Sequence, residues 1–186
     1  KILKLLKFLN LLKGNKVPIK VIFCLGEIDV RSIFYQLLFL DKSFSNEGKL
    51  IKNIGSCFFK NFSYLFDQTK DLNVKYFFLD IHPTTFLKGR SPKSINELRK
   101  VRSGDNYPVL GSINERVVWR NKLSNYFKTN CKRNIEFIKS QKSFFGKKGA
   151  LNKNLAMITA KKYFDKFHIV NVNELYKLQK KINEFK

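Results

Sequence analysis

Long hydrophobic runs are missing from this sequence. No stretch of about 18 consecutive apolar residues occurs, so the sequence predicts no helix that spans a bilayer. Histidine is scarce as well, with 2 residues in a chain of 186 and no cluster of cysteine and histidine. A structural zinc site needs about four such ligands, so neither a membrane-spanning protein nor a zinc protein is expected.

Cysteines are few and lie far apart. The 3 cysteines are Cys24, Cys57 and Cys131, and no C-x-x-C pair occurs. An odd number without close pairs argues against a disulfide framework. Cys24 lies in an apolar segment and is predicted to be a small buried side chain. We therefore expect a reducing, cytoplasmic setting.

Acidic residues are greatly outnumbered, with 14 Asp and Glu against 37 Lys and Arg and a net charge of +23. Such an excess is typical of proteins that bind polyanions, nucleic acid above all. Lysine, Asn, Ile and Phe all have A/T-rich codons, so coding bias accounts for part of the charge. The basic residues are scattered, apart from one group that we call the basic cluster: Lys88, Arg90, Lys93, Arg99, Lys100 and Arg102. It is either a solvated face or a lid that meets an anionic partner.

The chain opens with an amphipathic helical pattern. In "KILKLLKFLNLLKGN" apolar residues recur at steps of three and four, which predicts a helix that ends near Gly14 and Asn15. The predicted apolar side consists of Leu5, Phe8, Leu9 and Leu12. We interpret this helix as packing on a sheet, with a helix lying on a membrane surface as the alternative.

Three short apolar segments predict strands, namely "PIKVIFCLG", "NVKYFFLDIHP" and "IEFIKS". The first is predicted to be buried on both faces. Helical patterns lie between them, in "VRSIFYQLLFLDK", "NEGKLIKNIGSCFFKNFSYLFDQTK" and "SINERVVWRNKLSNYFKTNCKRN", and a closing helix is predicted around "VNELYKLQKKINEF". The stretch from Thr84 to Pro108 is predicted to be a long polar loop. The alternation predicts one α/β domain over residues 1–186, a parallel sheet of about three strands with helices on both faces.

One predicted helix has a clear start. Ser112 is followed three residues later by Glu115, which is the pattern of a capping box. The apolar side predicted for this helix consists of Val118, Leu123, Tyr126 and Phe127.

Polar residues follow two of the predicted strands. In parallel sheets, ligands bind outside the carboxyl ends of the strands. Gly26, Glu27, Asp29 and Arg31 follow the first strand and His82 follows the second, so these five are the predicted substrate-binding residues. Two interpretations stay open: the charged residues form a salt-bridge network in which Asp29 caps the next helix, or Arg31 binds an anionic group of the substrate and Glu27 reaches the site.

The segment "KYFDKFHIVN" holds a candidate catalytic pair. Asp165 and His168 are three residues apart and share one face of a helical turn. A carboxylate in that position fixes the imidazole tautomer and leaves Nε2 as a general base. A rival pair is Asp80 and His82, which point the same way if they lie on a strand.

The motifs, taken in order, resemble those of the SGNH (GDSL-type) hydrolases. The segment "VIFCLGEIDVR" resembles the family's third block, a strand that ends in G-x-N-D, and D-x-x-H resembles its last block. The segments "FLDIHPTTF", "PVLGSINERVVWRNKLSNYFKTNCKRNIEFI" and "KKGALNKNL" resemble those of a bacterial and viral SGNH-like subgroup. The resemblance covers roughly residues 18 to 175.

The resemblance implies a flavodoxin-like fold and an esterase, deacylase or acyltransferase that acts on a small-molecule or carbohydrate ester. It implies a serine nucleophile, His168 as the base, Asp165 as its orienting partner and Gly26 at the rim of the site. His168 is preferred to His82 because it follows the last strand, as in the family. No metal or organic cofactor is implied.

Two features depart from the family pattern. The serine block of the family precedes the G-x-N-D strand, whereas here no G-D-S or G-x-S-x-G occurs. Ile28 stands where the family has the asparagine that donates to the oxyanion, and losing such a donor costs about two to three orders of magnitude in rate. We therefore expect a fragment that lacks its first strands, or a degenerate domain, inactive alone. The alternative is a non-enzymatic basic α/β protein that binds nucleic acid or another polyanion.

Overall fold

The computed structural model describes residues 2–14, 18–26, 28–101, 108–131, 135–140, 142–152 and 180. The predicted residues Glu27, Arg102, Asp165 and His168, and all of the predicted closing helix except residue 180, lie outside these ranges. The described chain alternates helices and strands in the predicted order. None of the helices in these ranges is long and apolar enough to cross a membrane.

The helices are α1 (Ile2–Leu11), α2 (Glu47–Thr69), α3 (Ile95–Val101) and α4 (Ile113–Asn130). The strands are β1 (Ile19–Cys24), β2 (Val74–Leu79) and β3 (Ile135–Ile138). Two π-helical segments, Asp29–Ile33 and Gln36–Leu40, follow β1, and two 3-10 turns, Lys142–Phe144 and Lys147–Gly149, follow β3.

The three strands form one parallel sheet in the order β1-β2-β3. Phe23 pairs with Phe78, and Phe78 pairs with Phe137, so these aromatic side chains lie side by side on one face. Helices α1, α2 and α4 bury their apolar side chains against this face in the main core. The α/β class and the parallel sheet of three strands are therefore confirmed.

The central strand is shielded from solvent on its other face as well. Phe77 and Leu79 alternate with the core residues of β2, and together with Ile138 they form a second buried cluster. A strand that is buried on both sides explains why β2 reads as a continuous apolar run.

Strand β1 differs from the prediction. Its burial is only partial, with Ile22 42% exposed and Cys24 exposed, so the predicted burial on both faces and the predicted buried thiol are wrong. The reason is position, because β1 pairs with β2 alone within the described sheet. An apolar edge strand and an apolar central strand look alike in sequence.

Helix α1 packs mainly on α2, whereas the sequence interpretation had it packing on the sheet. Leu6 and Leu9 are buried in the main core, whereas Phe8 is 56% exposed and Leu11 is 83% exposed. The predicted place of Phe8 on the buried side is therefore wrong. The helix is rotated so that residues three apart, Leu6 and Leu9, face the core.

The helix predicted after β1 is present, but its hydrogen bonds are largely of the wider π type. Its first residue is capped by Ile28, which makes no side-chain capping hydrogen bond, so the prediction that Asp29 is the cap is wrong. Asp29 lies one residue further, inside the first turn. π-helical segments are rare and occur frequently at functional sites.

Helix α4 begins at the predicted capping box. The hydroxyl of Ser112 accepts a hydrogen bond from the Glu115 backbone N–H, and the Glu115 carboxylate accepts one from the Ser112 backbone N–H. Val118 is 44% exposed, so its predicted place on the apolar side is wrong. The buried face of the helix consists of Arg116, Trp119, Arg120, Leu123, Ser124 and Phe127.

Candidate functional site

A crevice of about 420 Å³ opens at the carboxyl ends of β1 and β2. It is lined by Cys24, Leu25, Gly26, Ile28, Asp29, Phe58, Asp80 and His82. The sheet topology explains this convergence, because parallel strands bring their following loops to the same edge. Three of the five predicted substrate-binding residues, Gly26, Asp29 and His82, thus meet in one cavity.

Gly26 forms the tight turn between β1 and the first π-helical segment. Its φ is +92°, in the left-handed region that L side chains rarely adopt, and its carbonyl accepts a hydrogen bond from the Val30 N–H at 3.0 Å. A Cβ at this position would lie 2.8 Å from Cδ1 of Ile81. Both the backbone conformation and the close approach of Ile81 therefore require glycine here.

Asp29 is a carboxylic acid in the crevice whose pKa is raised above its ordinary value. Burial raises the pKa of its carboxyl group, and a hydrogen bond with its own backbone N–H opposes the shift only in part. Desolvation disfavours the charged form of a carboxyl group, so Asp29 keeps its proton to a higher pH than an exposed aspartate does. Perturbed carboxylic acids in clefts are frequent at functional sites.

His82 reaches the crevice from the segment after β2. Its ring lies 6.2 Å, between centroids, from the ring of Phe144, which follows β3. His82 is only partly buried and lines the cavity. Segments that follow β1, β2 and β3 thus all lie near this histidine.

Asp80, the neighbour of His82 that was predicted to pair with it, is bound elsewhere. Its carboxylate accepts hydrogen bonds from Nη2 of Arg120 at 2.7 Å, from the backbone N–H of Ser140 at 3.2 Å and from the hydroxyl of Ser124. These bonds tie Asp80 to α4 and to the segment after β3. We therefore assign Asp80 a structural role at the floor of the crevice.

Two arginines of α4 hold the segment that carries His82, and the sequence interpretation did not identify them. Nε of Arg120 donates to the Ile81 carbonyl at 2.8 Å. Arg116 is fully buried and donates to the side chain of Thr84 and to four backbone carbonyls, those of Thr85, Leu87, Leu110 and Gly111. The signal in the sequence was their spacing of four, which places both on the same helical face as Trp119 and Leu123.

Arg31 is described, but it does not line the crevice. Its side chain is 6% exposed, and its carbonyl accepts a hydrogen bond from the Leu110 backbone N–H at 2.9 Å. Leu110 lies directly before the capping box of α4. Arg31 thus joins the turn after β1 to the start of α4 through its backbone.

Two crevice residues bear on nucleophilic chemistry. Ile28 is 42% exposed in the lining, and its side chain offers no hydrogen-bond donor where the resemblance places an oxyanion ligand. Cys24 is an exposed residue, yet partial desolvation of its thiol raises the pKa of that group. A thiol with a raised pKa is a poor nucleophile, because the thiolate is the reactive form.

The described members of the basic cluster are all exposed, and Arg99 and Lys100 lie in α3. This helix was predicted to be loop. Its first turn is fixed by Ser94, whose hydroxyl accepts from the Glu97 N–H at 3.2 Å, and by the Glu97 carboxylate, which accepts from the Lys93 N–H at 2.7 Å.

No group of three or more His, Cys, Asp or Glu side chains could hold a metal ion within the described ranges. Comparison of the chain with protein-family models, with curated proteins and with solved structures found no match.

Proposed function

We propose that this chain is an SGNH-like esterase, deacylase or acyltransferase domain whose substrates are small-molecule or carbohydrate esters. The observation that supports this best is the convergence of Gly26, Asp29 and His82, from two strand ends, on one crevice of about 420 Å³. Ligand pockets of about 300–1,000 Å³ with a few polar groups are typical of sites for small molecules.

In the proposed mechanism, His168 is the general base and Asp165 orients it. The imidazole takes the proton of a serine hydroxyl that attacks the ester carbonyl, and the acyl-enzyme is resolved by water or by an acceptor. The sequence holds no recognisable serine block, and Ile28 provides no side-chain donor to the oxyanion. We therefore expect the chain by itself to be a weak catalyst at most.

An activated ester tests the proposal on the chain as it stands. Because imidazole can itself attack p-nitrophenyl acetate, a positioned His168 accelerates its hydrolysis without a serine. We expect the chain to hydrolyse the ester about 10²-fold faster than free imidazole at equal concentration, and His168→Gln to remove this excess rate.

The matched variant is His82→Gln, since the chain has only 2 histidines. If His82→Gln alone abolishes the rate, the rival base is the correct one. If neither variant changes the rate, the esterase proposal fails.

The charge of the chain favours a second candidate, a non-enzymatic protein that binds nucleic acid or another polyanion. Its support is the net charge of +23 together with the exposed basic residues near and in α3, namely Lys88, Arg90, Lys93, Arg99 and Lys100. Fluorescence anisotropy with a short RNA tests it. A steep fall of affinity with salt is expected for phosphate neutralisation, and weak binding that is insensitive to salt contradicts it.

A further inference from the structure

Two adjoining cavities lie beside the first turn of α4, outside the crevice described above. The larger has a volume of about 540 Å³ and the smaller about 280 Å³. Ile113 and Lys148 line both cavities, so the two adjoin, and we refer to them together as the groove.

The larger cavity is mainly apolar and is built on a fixed backbone. Its walls include Phe86, Ile113, Ala150 and Leu151. The Leu151 N–H donates to the Thr84 carbonyl at 2.8 Å, and Leu151 also belongs to a small buried cluster that includes Phe86. This part of the groove is therefore preformed and offers an apolar surface to a ligand.

The smaller cavity is basic and rich in hydrogen-bonding groups. It is lined by Lys88, Gly89, Ser91, Ser112, Ile113, Asn114 and Lys148. Both lysines are exposed, and neither forms an ion pair with a carboxylate within the described ranges. The nearby carboxylate of Glu115 is engaged in the capping box, where it accepts from the Ser112 N–H at 2.7 Å.

Lys148 is held in a rare conformation at the junction of the two cavities. Its φ is 59° and its ψ is 18°, which is left-handed backbone that L residues rarely adopt. The hydrogen bond from the Gly146 N–H to the Ala150 carbonyl, at 2.7 Å, closes the turn around it. Strained residues of this kind are concentrated at ligand-binding sites.

We propose that this groove binds one molecule of an amphiphilic anion. A phosphate or carboxylate head lies between Lys88 and Lys148, and an aliphatic chain fills the apolar cavity. The positive end of the α4 dipole adds to the attraction of the head group. This site does not depend on the proposed ester hydrolysis, because it shares no lining residue with the crevice.

Isothermal titration calorimetry with monomeric decyl phosphate, below its micelle concentration, tests the proposal. We expect one binding site per chain for decyl phosphate. Decanol and inorganic phosphate should each bind with an affinity at least about tenfold lower than that of decyl phosphate, because each lacks one half of the ligand. Equal affinity for inorganic phosphate overturns the proposal. Binding to anionic vesicles without binding to the monomer also overturns it, because that result indicates a membrane surface.

Matched variants separate the site from the overall charge. Lys88→Gln with Lys148→Gln is expected to weaken decyl phosphate binding by about tenfold or more. The control pair Lys60→Gln with Lys128→Gln removes the same charge from exposed positions outside the groove and is expected to leave binding nearly unchanged. Ile113→Glu places an acid in the first turn of α4, where it favours the helix, and is expected to abolish binding. The proposal is overturned if the two double lysine variants lose equal affinity for decyl phosphate, or if Ile113→Glu binds it normally.

Discussion

Nη2 of Arg120 lies 2.7 Å from Oδ2 of Asp80, and the two side chains are only 7% and 5% exposed. This buried ion pair joins α4 to the carboxyl end of β2, directly before the candidate histidine His82. The guanidinium also lies over the ring of Phe145, 4.9 Å from its centroid. One pair thus fixes the helix, the strand end and the segment after β3 relative to one another.

Removing one partner of this pair leaves a buried charge without compensation. We expect Arg120→Met to lower the free energy of unfolding by about 3–5 kcal/mol, as measured by urea denaturation. The double variant Asp80→Asn with Arg120→Met should lose less than the sum of the single variants. The exposed pair of Glu47 and Lys122 is the control, and Lys122→Met should cost less than about 1 kcal/mol. Additive losses at Asp80 and Arg120 would show that the pair is not coupled.

Arg116 holds the segment after β2 through backbone carbonyls, so its removal should loosen that segment more than the rest of the fold. We expect Arg116→Met to increase the rate of tryptic cleavage at Lys88, Arg90 or Lys93 by about tenfold or more, since five hydrogen bonds are lost. Lys128→Met, at an exposed position of the same helix, is the control. Unchanged cleavage in Arg116→Met would contradict the assigned role.

Asp29 gives a pH dependence of known sign. Its folded pKa is raised above the ordinary value of 3.8 by burial, so the folded state retains the proton over a range in which the unfolded state has lost it. Stability therefore falls as pH rises from about 3.8 through the folded pKa. We expect Asp29→Asn to be more stable than the parent at pH 7 and to lose this advantage below about pH 4. Equal stability of the two proteins at pH 7, measured by urea denaturation, would contradict the desolvation of Asp29.

Gly26 is required by its backbone conformation and by its contact with Ile81. Gly26→Ala should destabilise the protein by about 1–3 kcal/mol, because a Cβ meets Ile81 and the left-handed conformation is strained. Gly48→Ala, in the first turn of α2, is the matched control and should be neutral or slightly stabilising. Thermal unfolding of both variants provides the comparison. A neutral Gly26→Ala would mean that the turn can relax.

Much of the fold could be read from local patterns, because helix caps and apolar periodicity are local properties. The sequence S-I-N-E occurs twice, at Ser94 and at Ser112. The second copy predicts the start of α4, whereas the first begins α3 inside a segment whose polar composition predicts a loop. Both copies fix the first turn of a helix through Ser and Glu side chains.

What the sequence could not provide depends on tertiary position. An apolar strand does not reveal that it lies at an edge, as β1 does in the described sheet, so its sequence does not predict the exposure of Cys24. Arginine side chains are normally exposed to solvent, so the sequence does not predict the burial of Arg116 and Arg120. Their burial depends on hydrogen bonds to carbonyl groups and to a carboxylate that come from distant segments of the chain. The crevice was predicted better, because the carboxyl ends of parallel strands must meet at one edge, and this rule alone placed Gly26, Asp29 and His82 together.

The proposed function requires that His168 lie beside the crevice formed after β1 and β2. A nitroxide label on Cys24, with Cys57→Ser and Cys131→Ser, tests it by broadening the NMR signals of nearby imidazoles. His82 lines the same cavity as Cys24 and serves as the internal positive control. A label on Asn130→Cys, at the last residue of α4 and with all three native cysteines replaced, is the control at a position that does not line the crevice. The account predicts that the Cys24 label broadens both histidine signals, whereas broadening of His82 alone would contradict it.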